Sequence, residues 1–253
     1  MTTIDRAGAG RAGVLRALHV PGTPVILPNV WDAASARAVQ EAGFPAVATG
    51  SAAVCDALGY DDGERMPVEE MLAAVARVAR AVDVPVSADI ERGYGLKPAE
   101  LAERLIACGA AGCNLEDSDP RTGELLDPGE QAEFLAGVRA AAGDALVINA
   151  RVDTYLHGGG SREDALARAR RYLEAGADCV YPIVLGDEDE IRALVDELAG
   201  APVNVLFRPG TPSLGRLAEL GVARVSFGSG LYRLVYAHAA GLLARVRQGE
   251  SPF

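Results

Sequence analysis

The segment PVSADIERGYG, residues 85–95, starts as a buried strand. It then places Asp89 and Glu91 two residues apart, ahead of Gly93 and Gly95. Side chains at i and i+2 of a strand share a face. Two carboxylates on one face repel unless a cation lies between them, so the pair asks for a metal ion or a basic side chain. Further along, Asn114, Glu116, Asp117 and Ser118 form a second polar group, and Asn149, Arg151 and Asp153 a third. Carboxylates on neighbouring strand ends suit a hard divalent cation, and Mg2+ takes one or two of them plus waters. An arginine among them suits a substrate carboxylate or phosphate held by its planar fork. Two other readings stay open. Arg151 could sit in a buried ion pair with Asp153 or Glu116, and Asp117, Ser118 and Asp119 could cap the next helix.

These residues need a scaffold that gathers strand ends. Short Val-, Ile- and Leu-rich runs recur at 24–31, 46–51, 85–91, 112–118, 146–153, 179–184, 203–207 and 224–228. Such continuous apolar runs suit parallel strands covered on both faces. Helical patterns fill the gaps at 32–43, 67–82, 98–112, 128–143, 161–177, 187–200, 213–221 and about 229–247, with Asp32 as a cap and Pro67 in a first turn. The motif of a helix, a Gly stop and a strand repeats at EAGFPAV, ACGAAGCNL, EAGADCV and ELGVARV. Strands alternating with helices point to a (β/α)8 TIM barrel forming a single domain over residues 1–253. In that fold the chemistry lies at the C-terminal strand ends. Thr49, Gly50 and Ser51 close the second strand, and Asn204 and Arg208 mark the seventh.

The chain carries a formal net charge of −11 and no basic run, which argues against nucleic acid or an anionic membrane surface as partners. No apolar stretch approaches the length of a membrane span, and the N-terminus lacks an apolar signal region, so a cytoplasmic protein is expected. Cys55, Cys108, Cys113 and Cys179 show no metal-type spacing and are expected to be buried thiols. His157, before three glycines, is expected on a surface loop, with a role as a base at the site as the alternative.

Taken in order, ATGSAAVCDALGYDDG, SADIERGYG, GCNLED, INARVDTYL and the Asn204 strand resemble the isocitrate lyase/phosphoenolpyruvate mutase superfamily, closest to its short methylisocitrate lyase and mutase-like members. The resemblance implies a barrel that binds Mg2+ and a short 2-oxo carboxylate and passes through an enolate. It implies metal ligation by Asp89, with Glu116 completing the water shell and Glu91 standing in for an acid that relatives carry at the position of Ser87. It assigns Thr49, Gly50, Ser51, Arg151 and Asn204 to substrate binding. Asp62, Glu116 and Arg151 become the catalytic set. It also implies a homo-oligomer, a dimer of dimers (homotetramer) exchanging the C-terminal helix.

Two departures bear on activity. Residues 117–127 contain no Cys, Lys or His, where lyase members carry a Cys-containing loop that transfers a proton. Ile183 follows Pro182 where the lyases place a glutamate. The expected function is therefore an Mg2+-dependent enzyme making or breaking the C–C bond beside a 2-oxo carboxylate, of the oxaloacetate hydrolase or weak 2-methylisocitrate lyase type. Two alternatives are C–P chemistry of the phosphonopyruvate hydrolase or phosphoenolpyruvate mutase type, and a non-catalytic 2-oxo acid binding protein.

Overall fold

The computed structural model describes residues 6–156 and 160–253. Its strands are β1 (Val25–Leu27), β2 (Asn29–Val30), β3 (Val47–Thr49), β4 (Val86–Asp89), β5 (Gly112–Leu115), β6 (Val147–Val152), β7 (Cys179–Pro182), β8 (Asn204–Leu206) and β9 (Arg224–Ser226). The helices are α1 (Arg6–Ala17), α2 (Ala33–Glu41), α3 (Ser51–Leu58), α4 (Val68–Ala81), α5 (Pro98–Ala107), α6 (Pro128–Ala142), α7 (Arg162–Glu174), α8 (Glu188–Glu197), α9 (Leu214–Glu219) and α10 (Gly230–Arg247). His157 and Gly158 lie outside the described residues.

All strand pairs are parallel, and they close a ring. Pro28 interrupts the first stave and divides it into β1 and β2. β1 pairs with β9 on one side and β2 with β3 on the other. Pairing then runs in chain order from β3 to β7, a Val180–Val203 bridge joins β7 to β8, and β8 pairs with β9. With β1 and β2 taken as one stave, this is the eight-stave barrel that the periodicity predicts.

Outward strand faces and helix stripes form the main core. Met71, Val75, Leu101, Leu105, Leu135 and Val138 pack over Ala88, Cys113, Leu115 and Ile148. The bottom of the barrel is plugged from within by Leu15 of α1, against Val25, Leu27, Ala46 and Val147. Gly112 makes that plug possible, because a Cβ there would meet Val147 O at 2.7 Å and Leu15 Cδ2 at 2.9 Å. Neither α1 nor α3 is read from the sequence. The α1 segment RAGAGRAGVLRA has three glycines and little periodicity, so docking rather than propensity holds it.

Local signals behave as read at α2, where Asp32 caps Ser35 N at 2.7 Å and Ser35 Oγ returns the contact to Asp32 N. They fail at α6. Its cap is Asp127, which accepts from Gly129 N and Glu130 N, so the capping role considered for Asp117, Ser118 and Asp119 falls to another residue. Three cysteines are buried and Cys108 half-buried, and all four are free thiols.

Candidate active site

The C-terminal strand ends converge on a cavity of about 1410 Å³ whose lining includes Ser51, Asp62, Asp89, Glu91, Glu116 and Arg151. Asp89 ends β4 and is held from the β3–α3 turn. Its backbone N–H donates to Thr49 Oγ1 at 2.8 Å, and Ser51 N–H at the start of α3 donates to its Oδ2 at 3.0 Å. Its other oxygen, Oδ1, is buried with no hydrogen-bond partner. A carboxylate oxygen left bare in a polar cavity is a feature that needs an explanation, and a cation supplies one. Thr49 and Ser51, expected to hold substrate, thus spend one donor and one acceptor on Asp89.

Glu91 lies past the end of the strand. The chain turns there, with Glu91 at φ 51° in the left-handed region, so the shared-face argument does not place it beside Asp89. Its carboxylate is buried and accepts from Glu64 N at 2.5 Å and Tyr94 OH at 2.6 Å. Burial pushes its pKa up to about 7. Among the described residues, one set of three ligand-type side chains brings its ligand atoms within 4.8 Å of one another: Cys55, Asp62 and Glu91. Of the expected ligands Asp89, Glu91 and Glu116, only Glu91 is in that set. Asp62 is also raised by burial and by neighbouring Asp89.

Arg151 takes the ion-pair alternative with both of its candidates. Nη1 donates to Glu116 Oε1 at 2.6 Å and Nε to Asp153 Oδ1 at 2.7 Å, while the guanidinium lies 5.8 Å from the centre of the Tyr181 ring. Burial raises the Glu116 pKa, and Arg151 opposes the rise. Asp153 is fixed in turn by Ser118 Oγ at 2.5 Å, and its N–H donates to Asp117 Oδ1 at 2.7 Å. Asp117 also receives Tyr172 OH at 2.7 Å and Arg168 Nη1 at 3.1 Å. Asp117 is therefore a buried strut between α7 and β6. The loop that follows is tied to itself by a Ser118–Leu125 bridge and by Asp119 N–H donating to Glu124 O at 2.8 Å.

Asn204 lies deeper, fully buried, with its Oδ1 accepting from Ser226 Oγ at 3.3 Å and its Nδ2 unpartnered. Arg208 is exposed and donates to Val184 O at 2.8 Å. Asn29 was not singled out by sequence reasoning. Its Nδ2 donates to Thr49 O at 2.8 Å, and its Oδ1 accepts from Phe227 N at 2.7 Å and Gly228 N at 2.9 Å, which stitches three strand ends together. Its signal was a polar side chain in the middle of an apolar first strand.

A closed parallel barrel with acids and arginines at its C-terminal mouth defines a TIM-barrel protein. Comparison makes this specific: residues 15–247 match the phosphoenolpyruvate phosphomutase family, and the chain belongs to the phosphoenolpyruvate mutase/isocitrate lyase superfamily. It is similar to a phosphonomutase-like protein of Burkholderia cenocepacia J2315, with 44% identity, a TM-score of 0.86, and 92% of this chain and 99% of that one covered. The protein Rv1998c of Mycobacterium tuberculosis H37Rv is 38% identical over 92% of this chain and 88% of its own length. Oxaloacetate acetylhydrolase, solved with its product oxalate, is 25% identical, with a TM-score of 0.83 and coverage of 95% and 87%. Enzymes of this superfamily act on short carboxylates at C–C or C–P bonds. No helix among the described residues is long and apolar enough to cross a membrane.

Proposed function

We propose that the protein is an Mg2+-dependent enzyme that binds a short 2-oxo carboxylate and makes or breaks the adjacent C–C bond, as in oxaloacetate hydrolysis or weak 2-methylisocitrate cleavage. The observation that carries this reading is Asp89, with one oxygen fixed by Ser51 N–H and the other buried without a partner. One carboxylate with room for waters is an Mg2+ donor set, with Glu116 and Glu91 near enough to the cavity to order those waters. Mg2+, when bound, would polarise the substrate carbonyl and favour negative charge on its oxygen. Arg151 keeps its Nη2 clear of Glu116 and Asp153, which leaves that nitrogen for the substrate carboxylate. Asp62, an exposed carboxylate on the cavity wall, would orient a water or a substrate hydroxyl.

The second reading is C–P chemistry, favoured by the 44% identity to the phosphonomutase-like protein. The acidic segment 117–127 weighs mildly against a phosphonate dianion. The third is a protein that binds a 2-oxo acid without turnover, favoured by the absence of Cys, Lys and His from that segment. A homo-oligomer exchanging α10 is part of the proposal. It is supported by the apolar surface α10 leaves exposed, with Leu234 and Leu243 each 69% accessible.

Calorimetric titration with and without Mg2+ tests the reading, using pyruvate, oxaloacetate, 2-oxoglutarate and phosphonopyruvate, followed by turnover of each. Mg2+-dependent binding and cleavage of oxaloacetate is expected. Turnover of phosphonopyruvate alone would move the assignment to C–P chemistry, and binding without turnover to the third reading. Asp89→Ala should abolish the Mg2+-dependent heat.

A further inference from the structure

Arg224 is the first residue of β9, and its side chain lies inside the barrel with no accessible surface. Its Nη2 donates to Ser87 Oγ and to Asn114 Oδ1, both at 3.2 Å, and both groups are neutral. Its Nε and Nη1 have no partner. No carboxylate among the described residues lies within ion-pair distance of it. A guanidinium does not give up its proton in a protein, and an unpaired buried charge is costly. Retaining this cation therefore calls for an anion elsewhere.

Its position says where. Ser87 and Asp89 lie on one face of β4, and Asn114 is the register partner of Asp89. The guanidinium thus sits beneath the Asp89 carboxylate, reaching both the level of Ser87 and that of Asn114. Below it lies His19, whose Nδ1 bonds Leu15 O at 2.8 Å and whose pKa is pushed down to about 4 by burial and by Arg224 itself. The carboxylate at the floor, Asp178, is already taken by Arg16 and Arg139. The negative groups that can balance Arg224 are Asp89 and whatever carboxylate enters the cavity above.

We propose that Arg224 is the fixed counter-charge of the site, opposing a bare divalent cation at Asp89 and favouring a small carboxylate there, so that cation and carboxylate bind together. This rests on Asp89 as the cation ligand. Arg224 touches neither ligand and acts through its field, which the open cavity above it screens.

The test uses Mn2+ alone, followed by electron paramagnetic resonance, and oxalate at saturating Mn2+, followed by calorimetry. Arg224→Met should tighten Mn2+ about tenfold and weaken oxalate about tenfold, as expected for removing one charge at this range. Ser87→Asp keeps the guanidinium but neutralises it from within contact distance, and it should produce the same opposite shifts, so the test stands even if Arg224→Met does not fold. Two ligands that weaken together would mean a packing role and overturn the inference, as would unchanged affinities for both in variants of a wild type that binds both. A wild type that binds neither probe overturns the reading of Asp89 and this inference with it.

Discussion

Arg151 and Arg224 both enter the barrel interior, from β6 and β9, and both are almost or wholly buried. Arg151 meets two carboxylates, Glu116 and Asp153, at 2.6 and 2.7 Å. Arg224 meets a hydroxyl and an amide oxygen at 3.2 Å. Glu91 is the mirror image of Arg224, a buried anion held by neutral donors, Glu64 N–H and Tyr94 OH. A buried acid relieves its isolation by taking a proton, which is why Glu91 rises to about 7. An arginine has no such exit. Paired charge near the mouth gives geometry, whereas unpaired charge beneath it gives a field that a ligand answers.

Breaking the paired case should have the largest effect. Arg151→Met leaves Glu116 and Asp153 without their cation, and unfolding in urea at neutral pH should show a loss of about 3–5 kcal/mol. The loss should shrink in acid as Glu116 protonates.

Glu91 sharpens the comparison through pH. Its pKa is raised in the folded state from 4.5 to about 7, so the unfolded chain binds fewer protons between those values. Stability from this group is full below pH 4.5 and is lost as pH climbs to about 7. At about 1.4 kcal/mol per unit, wild type in EDTA should be some 2–3 kcal/mol less stable at pH 8 than at pH 5 through Glu91 alone. Glu91→Gln should remove that part of the slope.

Arg224→Met should go the other way from Arg151→Met, from no change to about 2 kcal/mol of added stability, because it deletes an uncompensated buried charge. A loss of several kcal/mol would erase the contrast and mean that Arg224 is paired in solution. The smallest effect is expected from Ser87→Ala. It removes one of two acceptors from Nη2 and should cost about 1 kcal/mol in the same urea measurement.

The order of the staves, most of their positions and the polar content of their C-terminal ends were legible in the chain, because parallel strands covered on both faces must be apolar until they reach the mouth. Asp89, Glu116 and Arg151 could be named from that alone, and the Arg151 ion pair was already one of two open readings. Helix α1 and the strut made by Asp117 were not legible. The first depends on a surface that exists only when the barrel has closed. The second joins Asp117 to Arg168 and Tyr172, 51 and 55 residues away.

The sequence by itself determined a βα repeat, an acidic mouth and the membership in a superfamily that those motifs carry. Tertiary structure alone decided which charges are answered. Glu91 left the face of Asp89 because the chain turns at φ 51°, and Arg224 came to lie under Asp89 because closure brings β9 across the barrel from Ser87, 137 residues earlier. The sequence records that a charge is present. Its field depends on the distance to its counter-charge and on the water excluded around it, and both are set only when the ring closes.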